Sequence, residues 1–120
     1  GSWELHTQSA VHWNIEAIAN NPNPWVAWID ADALGNNPKL RTRKPGDRFR
    51  PHGMEGSEMS LSDFLINVKV RRPWRDHLPL LVDDRDRILW IVGYRLSHDA
   101  LVKPSTDRVV YLRFREQRDV

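Results

Sequence analysis

Six Lys or Arg residues crowd the twelve positions from Lys39 to Arg50, and they are spaced with a period. Lys39, Arg41 and Arg43 alternate with Leu40 and Thr42; on a β-strand every second side chain leaves the same face, so the three cations would stand together. Pro45-Gly46 interrupts the run as a turn, proline presetting φ and glycine free to take a positive one, with Asp47 as its stabilising acceptor. Arg48 and Arg50 then alternate around Phe49. A fold that accepts this stretch must carry a charged strand-turn-strand at its surface, supported from beneath by Leu40 and Phe49. Like charges this close repel, so an anion or nearby carboxylates must offset them. Asp47 and Asp76 are the expected internal partners, through Arg41 or Arg48, and a phosphate backbone is the expected external one.

The charge is local. Across 120 residues the net is only +2, which at this length fits one domain with a real core. Residues 1–38 hold four acids and no Lys or Arg, residues 39–75 hold ten Lys or Arg against four acids, and residues 76–120 hold eight of each sign. The middle third is therefore a basic footprint of the kind that meets nucleic acid. Cysteine is absent, which excludes disulfides, thiolate metal sites and a cysteine nucleophile. His6, His12, His52, His77 and His98 show no metal-ligand spacing. His77 follows Asp76, but neighbours on a strand or turn point apart, so no dyad is expected; Ser57, Ser60 and Ser62 lie in no nucleophile-elbow context. No apolar run approaches the roughly 20 residues of a membrane span, and no signal-like segment opens the chain. Gly1-Ser2 reads as a tag remnant, leaving 3–120 as a single domain.

Residues 3–13 alternate roughly and suggest a strand or two, ended by the breakers Asn20 to Pro24. Trp25 to Asp30 is β-prone, and Ala31 to Pro38 reads as loop. After the flexible Gly53 to Ser57 connector, Ser60-Leu61-Ser62-Asp63 has a capping pattern, and Leu61, Phe64, Leu65 and Val68 form one apolar helical face. Pro73 suits a first helical position, predicting a single turn through Leu78, with Trp74 expected as a core plug and a stack on a base or sugar as its alternative. Leu80 to Val82 and Ile88 to Val92 predict a hairpin whose second strand is buried on both sides. A short strand within Leu96 to Val102 and a last strand from Arg108 to Arg115 complete the reading. The predicted class is α+β: a β-rich, sandwich-like core of six to eight strands with one or two short helices, and most of the six tryptophans inside.

The run Arg41-Thr42-Arg43-Lys44-Pro45-Gly46-Asp47-Arg48-Phe49-Arg50-Pro51-His52-Gly53-Met54 resembles the carboxy-terminal domain of tRNA(Ile)-lysidine synthetase, whose pattern is R-x-R-x-P-G-D-R-F-x-P-x-G-M. The resemblance continues through Leu61 to Val70 and Trp74 to Leu81 and ends near Ile88 to Arg95. It implies a parent enzyme that uses ATP, with magnesium, to join lysine to the wobble cytidine of tRNA(Ile). It also implies that catalysis belongs to a separate amino-terminal domain with a Ser-Gly-Gly-x-Asp-Ser loop. Neither that loop nor a Gly-x-x-x-x-Gly-Lys loop occurs in these residues. By resemblance, then, this is the cytoplasmic, cofactor-free module that grips the acceptor-stem side of tRNA, with a fold similar to a domain of the phenylalanyl-tRNA synthetase β subunit. Its expected partners are tRNA and its own catalytic domain, with no membrane. A protein-docking or homodimerising module is the alternative, and a small-ligand pocket a third.

The expected RNA contacts are Lys39, Arg41, Arg43, Lys44, Arg48, Arg50, Lys69, Arg71, Arg72 and Arg75, with Pro45, Gly46 and Asp47 as the structural turn and no catalytic or metal residue. Two departures bear on them. Glu58-Met59-Ser60 stands where many members have a Lys-Lys pair, and Arg71 stands where a proline is common. Both shift the expected basic surface toward Lys69 to Arg75.

Overall fold

Two continuous apolar runs form the centre of the fold, and the other elements are laid on their two faces. The computed structural model describes residues 2–117; the expectations for Gly1 and for residues 118–120 lie outside them. In chain order the elements are β1 (Ser2–Ala10), α1 (Ile15–Ala19), β2 (Val26–Asp30), α2 (Ala31–Leu34), β3 (Lys39–Arg41), β4 (Arg48–Phe49), β5 (Met59–Ser60) and α3 (Leu61–Asn67). There follow α4 (Arg72–Arg75), β6 (Leu80–Val82), β7 (Ile88–Ile91), β8 (Arg95–Leu96), a 3-10 turn (His98–Ala100) and β9 (Val109–Gln117). A four-stranded sheet runs β3-β6-β7-β8, a three-stranded sheet β1-β9-β2, and β4 pairs β5. All strand pairs are antiparallel.

The central sheet is covered on both faces, which is why β6 and β7 carry no alternation. Leu81, Leu89, Trp90 and Val92 join Ala27, Ile29, Leu112 and Phe114 of the three-stranded sheet in one core. Leu80, Val82, Ile88 and Ile91 join Phe49, Leu61, Phe64 and Leu65 in the other. A register shift between Leu81 and Val82 leaves Leu89 as an extra residue on β7, so Leu89 and Trp90 both enter the first core.

The basic strand-turn-strand is not a hairpin. Leu40 packs on the first core and Phe49 on the second. These lie on opposite faces of the central sheet, so the strands carrying them part: β3 pairs with β6 and β4 with β5. The turn itself forms as read. Asp47 N–H donates to the Lys44 carbonyl at 3.2 Å, with Gly46 at φ 82°, as a type II turn requires.

Other elements depart from expectation in ways that packing explains. α1 is a short helix between the first expected strand and the breakers, where no element is expected, and α2 one within the expected loop; α1 is capped by Asn14, which accepts from Ala17 N–H, and buries no residue, so it leaves no apolar period to read. The strand expected within Leu96 to Val102 shrinks to Arg95–Leu96, because Ser97 caps the 3-10 turn that follows. Of the tryptophans only Trp90 is fully buried. Trp3 and Trp25 flank Phe114 of the first core, and Trp28 meets Tyr111.

Helix α3 begins as the capping pattern predicts, with Ser60 Oγ accepting from Asp63 N–H at 3.1 Å. Its end sets up the basic surface. Val70 N–H donates to the Leu65 carbonyl at 2.9 Å and Lys69 N–H to the Ile66 carbonyl at 3.0 Å, the paired bonds of a Schellman stop. Lys69 occupies the left-handed position of that stop at φ 61°, which favours glycine. Lys69→Gly is expected to stabilise the domain by about 1 kcal/mol, read as a rise of a few degrees in melting temperature.

Candidate nucleic-acid interface

The ten expected cations fall into two groups of different electrostatic state. In the first, carboxylates, some local and some from distant parts of the chain, already pair with the charge. Arg41 grips Asp47 with both terminal nitrogens, at 2.9 and 3.0 Å, and turns Nε to Asp86 at 2.8 Å. Arg43 Nε lies 2.7 Å from Asp76, Arg48 Nε 3.3 Å from Glu58, and Arg50 Nη1 2.6 Å from Asp99; Lys44 pairs with Asp86. Arg50 also donates to the Gly56 carbonyl at 2.9 Å, clamping the glycine loop. Asp47 is the hub of the turn, taking Lys44 N–H at 2.7 Å while its own carbonyl accepts from Leu61 N–H at 2.9 Å.

In the second group, Lys69, Arg71 and Arg72 are exposed and pair with no carboxylate among the described residues. Lys39, at the start of edge strand β3, shares that state. Arg75 donates Nε to the Val70 carbonyl at 2.9 Å and so braces the segment. The two groups adjoin, because the Arg43–Asp76 pair ties the turn to the end of α4.

Trp74 overturns the core-plug expectation: it is 61% exposed. Val70 and Leu78, on either side of α4, take the core positions instead, and the one helical turn between them points Trp74 outward. The pairing carboxylates Asp86, Asp99 and Glu58 give no sign of their role in the sequence. Arg41 and Asp86 are 45 positions apart, and Arg50 and Asp99 are 49 apart, with no local pattern linking them. Asp83 is a further residue that sequence reasoning does not single out. Only 3% exposed, it closes the β6–β7 loop by accepting from the N–H groups of Arg85 and Arg87 at 3.0 and 2.9 Å and from Arg87 Nε at 2.7 Å.

Three carboxyls titrate below the ordinary aspartate range. Burial pushes Asp47 up, but the Arg41 guanidinium and the Lys44 N–H outweigh it. Burial likewise opposes the Arg87 and Arg85 bonds that bring Asp83 down. Asp86 is lowered chiefly by Lys44 and then by Arg41. The folded chain thus binds fewer protons at these groups than the unfolded one. Their contribution is full above the unfolded value of about 3.9 and is lost as pH falls through the lower folded values. Denaturant melts between about pH 6 and pH 2 are expected to show stability falling mainly below pH 4.

Among the described residues no three His, Asp or Glu side chains are grouped to hold a metal ion, and no helix is long and apolar enough to cross a membrane. A cavity of about 350 Å³ opens between Trp28, Trp90, Tyr94 and Leu101, with His52 and Arg95 on its wall and none of the ten cations above in its lining.

The fold is shared with two solved domains. A crystal structure of a TilS C-terminal domain superposes with TM-score 0.76 at 22% identity, covering 98% of this chain and 86% of that one. An N-terminal fragment of the phenylalanyl-tRNA synthetase β-subunit from Pyrococcus horikoshii superposes with TM-score 0.62 at 16% identity, covering 94% of this chain and 38% of that one. Residues 39–114 match the model of the TilS substrate C-terminal domain, and the chain belongs to that family. The tRNA(Ile)-lysidine synthase of Dehalococcoides mccartyi is 44% identical over 90 residues, which are 75% of this chain and 19% of that protein. That of Geobacter sulfurreducens is 33% identical over 124 residues, covering 98% of this chain and 25% of that protein. The chain spans about a fifth of the length of its first relatives.

Proposed function

We propose that this domain is the tRNA-gripping part of a tRNA(Ile)-lysidine synthase, the enzyme that joins lysine to the wobble cytidine of tRNA(Ile) at the expense of ATP. The observation that carries the reading is the group of exposed, carboxylate-free cations at Lys69, Arg71 and Arg72, set beside the turn that ends at Asp47. Lys69 strengthens it. A lysine held at φ 61°, where glycine would be easier, is a local cost that a phosphate contact offsets. In this reading Lys39, Arg41, Arg43, Lys44, Arg48, Arg50 and Arg75 are further phosphate contacts, the paired ones exchanging a carboxylate for a phosphate at smaller net gain.

Such contacts position a stem without reading bases, which suits an acceptor-stem grip governed by shape. The domain does no chemistry in this reading. Lysine, ATP and its magnesium are handled by a separate amino-terminal catalytic domain in the cytoplasm, whose phosphate-cradling loops have no counterpart in these residues. Anisotropy of a labelled tRNA(Ile) transcript titrated with the domain tests this: binding is expected to weaken steeply with added salt, and salt-independent binding, or none, would sink it.

A further inference from the structure

We infer that Trp74 is a base-stacking platform, taking an unpaired nucleotide of the RNA whose phosphates the neighbouring cations hold. This rests on the RNA-binding reading and adds to it a site for a base.

Trp74 is the most exposed aromatic side chain among the described residues, at 61%. Trp3, Trp25 and Trp28 each rest on another aromatic ring, but among the described residues no ring faces Trp74. A single exposed aromatic is common on protein surfaces, but Trp74 follows closely on the exposed cations Arg71 and Arg72, the pairing that nucleic-acid sites use.

Its backbone is held firmly. Pro73 fixes φ just before it, Trp74 N–H donates to the Arg71 carbonyl at 2.9 Å, and its own carbonyl accepts from His77 N–H at 3.0 Å. On one side Arg75 anchors to the carbonyl of buried Val70, and on the other Asp76 is tied to Arg43. A ring presented on so fixed a turn loses little freedom when it stacks.

Charge identifies the occupant. Lys69, Arg71 and Arg72, exposed and unneutralised, precede Trp74. The centre of a protein interface is depleted of charge, whereas aromatic faces interleaved with cations are how single-stranded nucleic acid is held.

The test compares Trp74→Ala, Trp74→Phe and the parent chain on two RNA hairpins of the same stem, one blunt and one with a short unpaired 3′ extension. Trp74→Ala is expected to lose about 5- to 150-fold in affinity for the extended hairpin. It should bind the blunt hairpin unchanged and keep the same salt slope, and Trp74→Phe should retain most of the affinity. An unchanged melting temperature, expected for so exposed a side chain, shows that the variant is folded. Equal affinity of Trp74→Ala and parent for the extended hairpin overturns this inference alone, as does an equal loss on both hairpins. A parent chain that binds neither RNA overturns the RNA-binding reading as well. Loss of association with the catalytic domain, with RNA affinity intact, assigns Trp74 to protein docking and also overturns it.

Discussion

Replacing Asp47 by alanine is expected to lower the stability of the domain by about 2–4 kcal/mol, a drop of roughly 10 °C or more in melting temperature for a chain of this size. The loss has three sources in one side chain. Two charge-assisted bonds to Arg41 disappear, at 2.9 and 3.0 Å. The guanidinium left behind is only 18% exposed, so it keeps Asp86 but loses its main counter-charge in a place where water replaces it poorly. The Lys44 N–H also loses its acceptor, at 2.7 Å, which leaves the Pro45-Gly46 turn with its backbone bond alone. Because β4 and the start of α3 hang from that turn through the Leu61 N–H to Asp47 carbonyl bond, the effect spreads into the second core. Urea melts of Asp47→Ala, Arg41→Met and the double variant measure it. The double variant should cost less than the sum of the singles, since removing both partners leaves no orphaned charge. Additive losses of a few tenths of a kcal/mol would mean that the pair is an ordinary surface contact.

Reversing the free cations has its effect elsewhere. The triple variant Lys69→Glu, Arg71→Glu, Arg72→Glu is expected to lose about 100-fold or more in tRNA affinity at physiological salt, since three phosphate contacts become three repulsions. Its stability should hold, or rise slightly where Lys69→Gly is used in place of glutamate, because none of the three supports a carboxylate or the core. Arg48→Gln is expected to cost only a few-fold, because Glu58 already neutralises that guanidinium in the free domain. Association with the catalytic domain provides the counter-measurement. If the triple variant leaves tRNA binding intact and breaks that association, the basic surface is a protein-docking face.

Some features are legible in the sequence because their causes are local. The Ser60 cap, the apolar face of Leu61, Phe64 and Leu65, and the Pro45-Gly46 turn are decided within a few residues, and each stands where the pattern places it. The uninterrupted apolar runs from Leu80 and Ile88 likewise announce a strand pair, the second strand covered on both faces; the first proves to be covered on both as well. What cannot be read is long-range. Alternation shows that Leu40 and Phe49 are buried, but not that they enter different cores, and that separation leaves the two strands of the expected strand-turn-strand paired to different partners.

The same limit shapes the site. A stripe of cations is visible in sequence, and so is the count of acids elsewhere, but which acid returns to which arginine is settled only by the fold. Asp86 and Asp99 arrive on the β6–β7 loop and the 3-10 turn, from 45 and 49 positions away, and neutralise Arg41 and Arg50. The most conspicuous basic stretch is thereby the most internally satisfied. The quieter one after α3, whose charge has no carboxylate partner among the described residues, is left facing outward with Trp74.

The division between those two stretches is tested most directly by one measurement: the slope of log affinity for tRNA against log salt, for the parent domain and for Lys69→Gln, Arg71→Gln, Arg72→Gln. With three phosphates no longer neutralised, the slope should become shallower by about 2 to 3. Parallel lines for the two proteins would show that these cations do not touch phosphate, and would contradict the division.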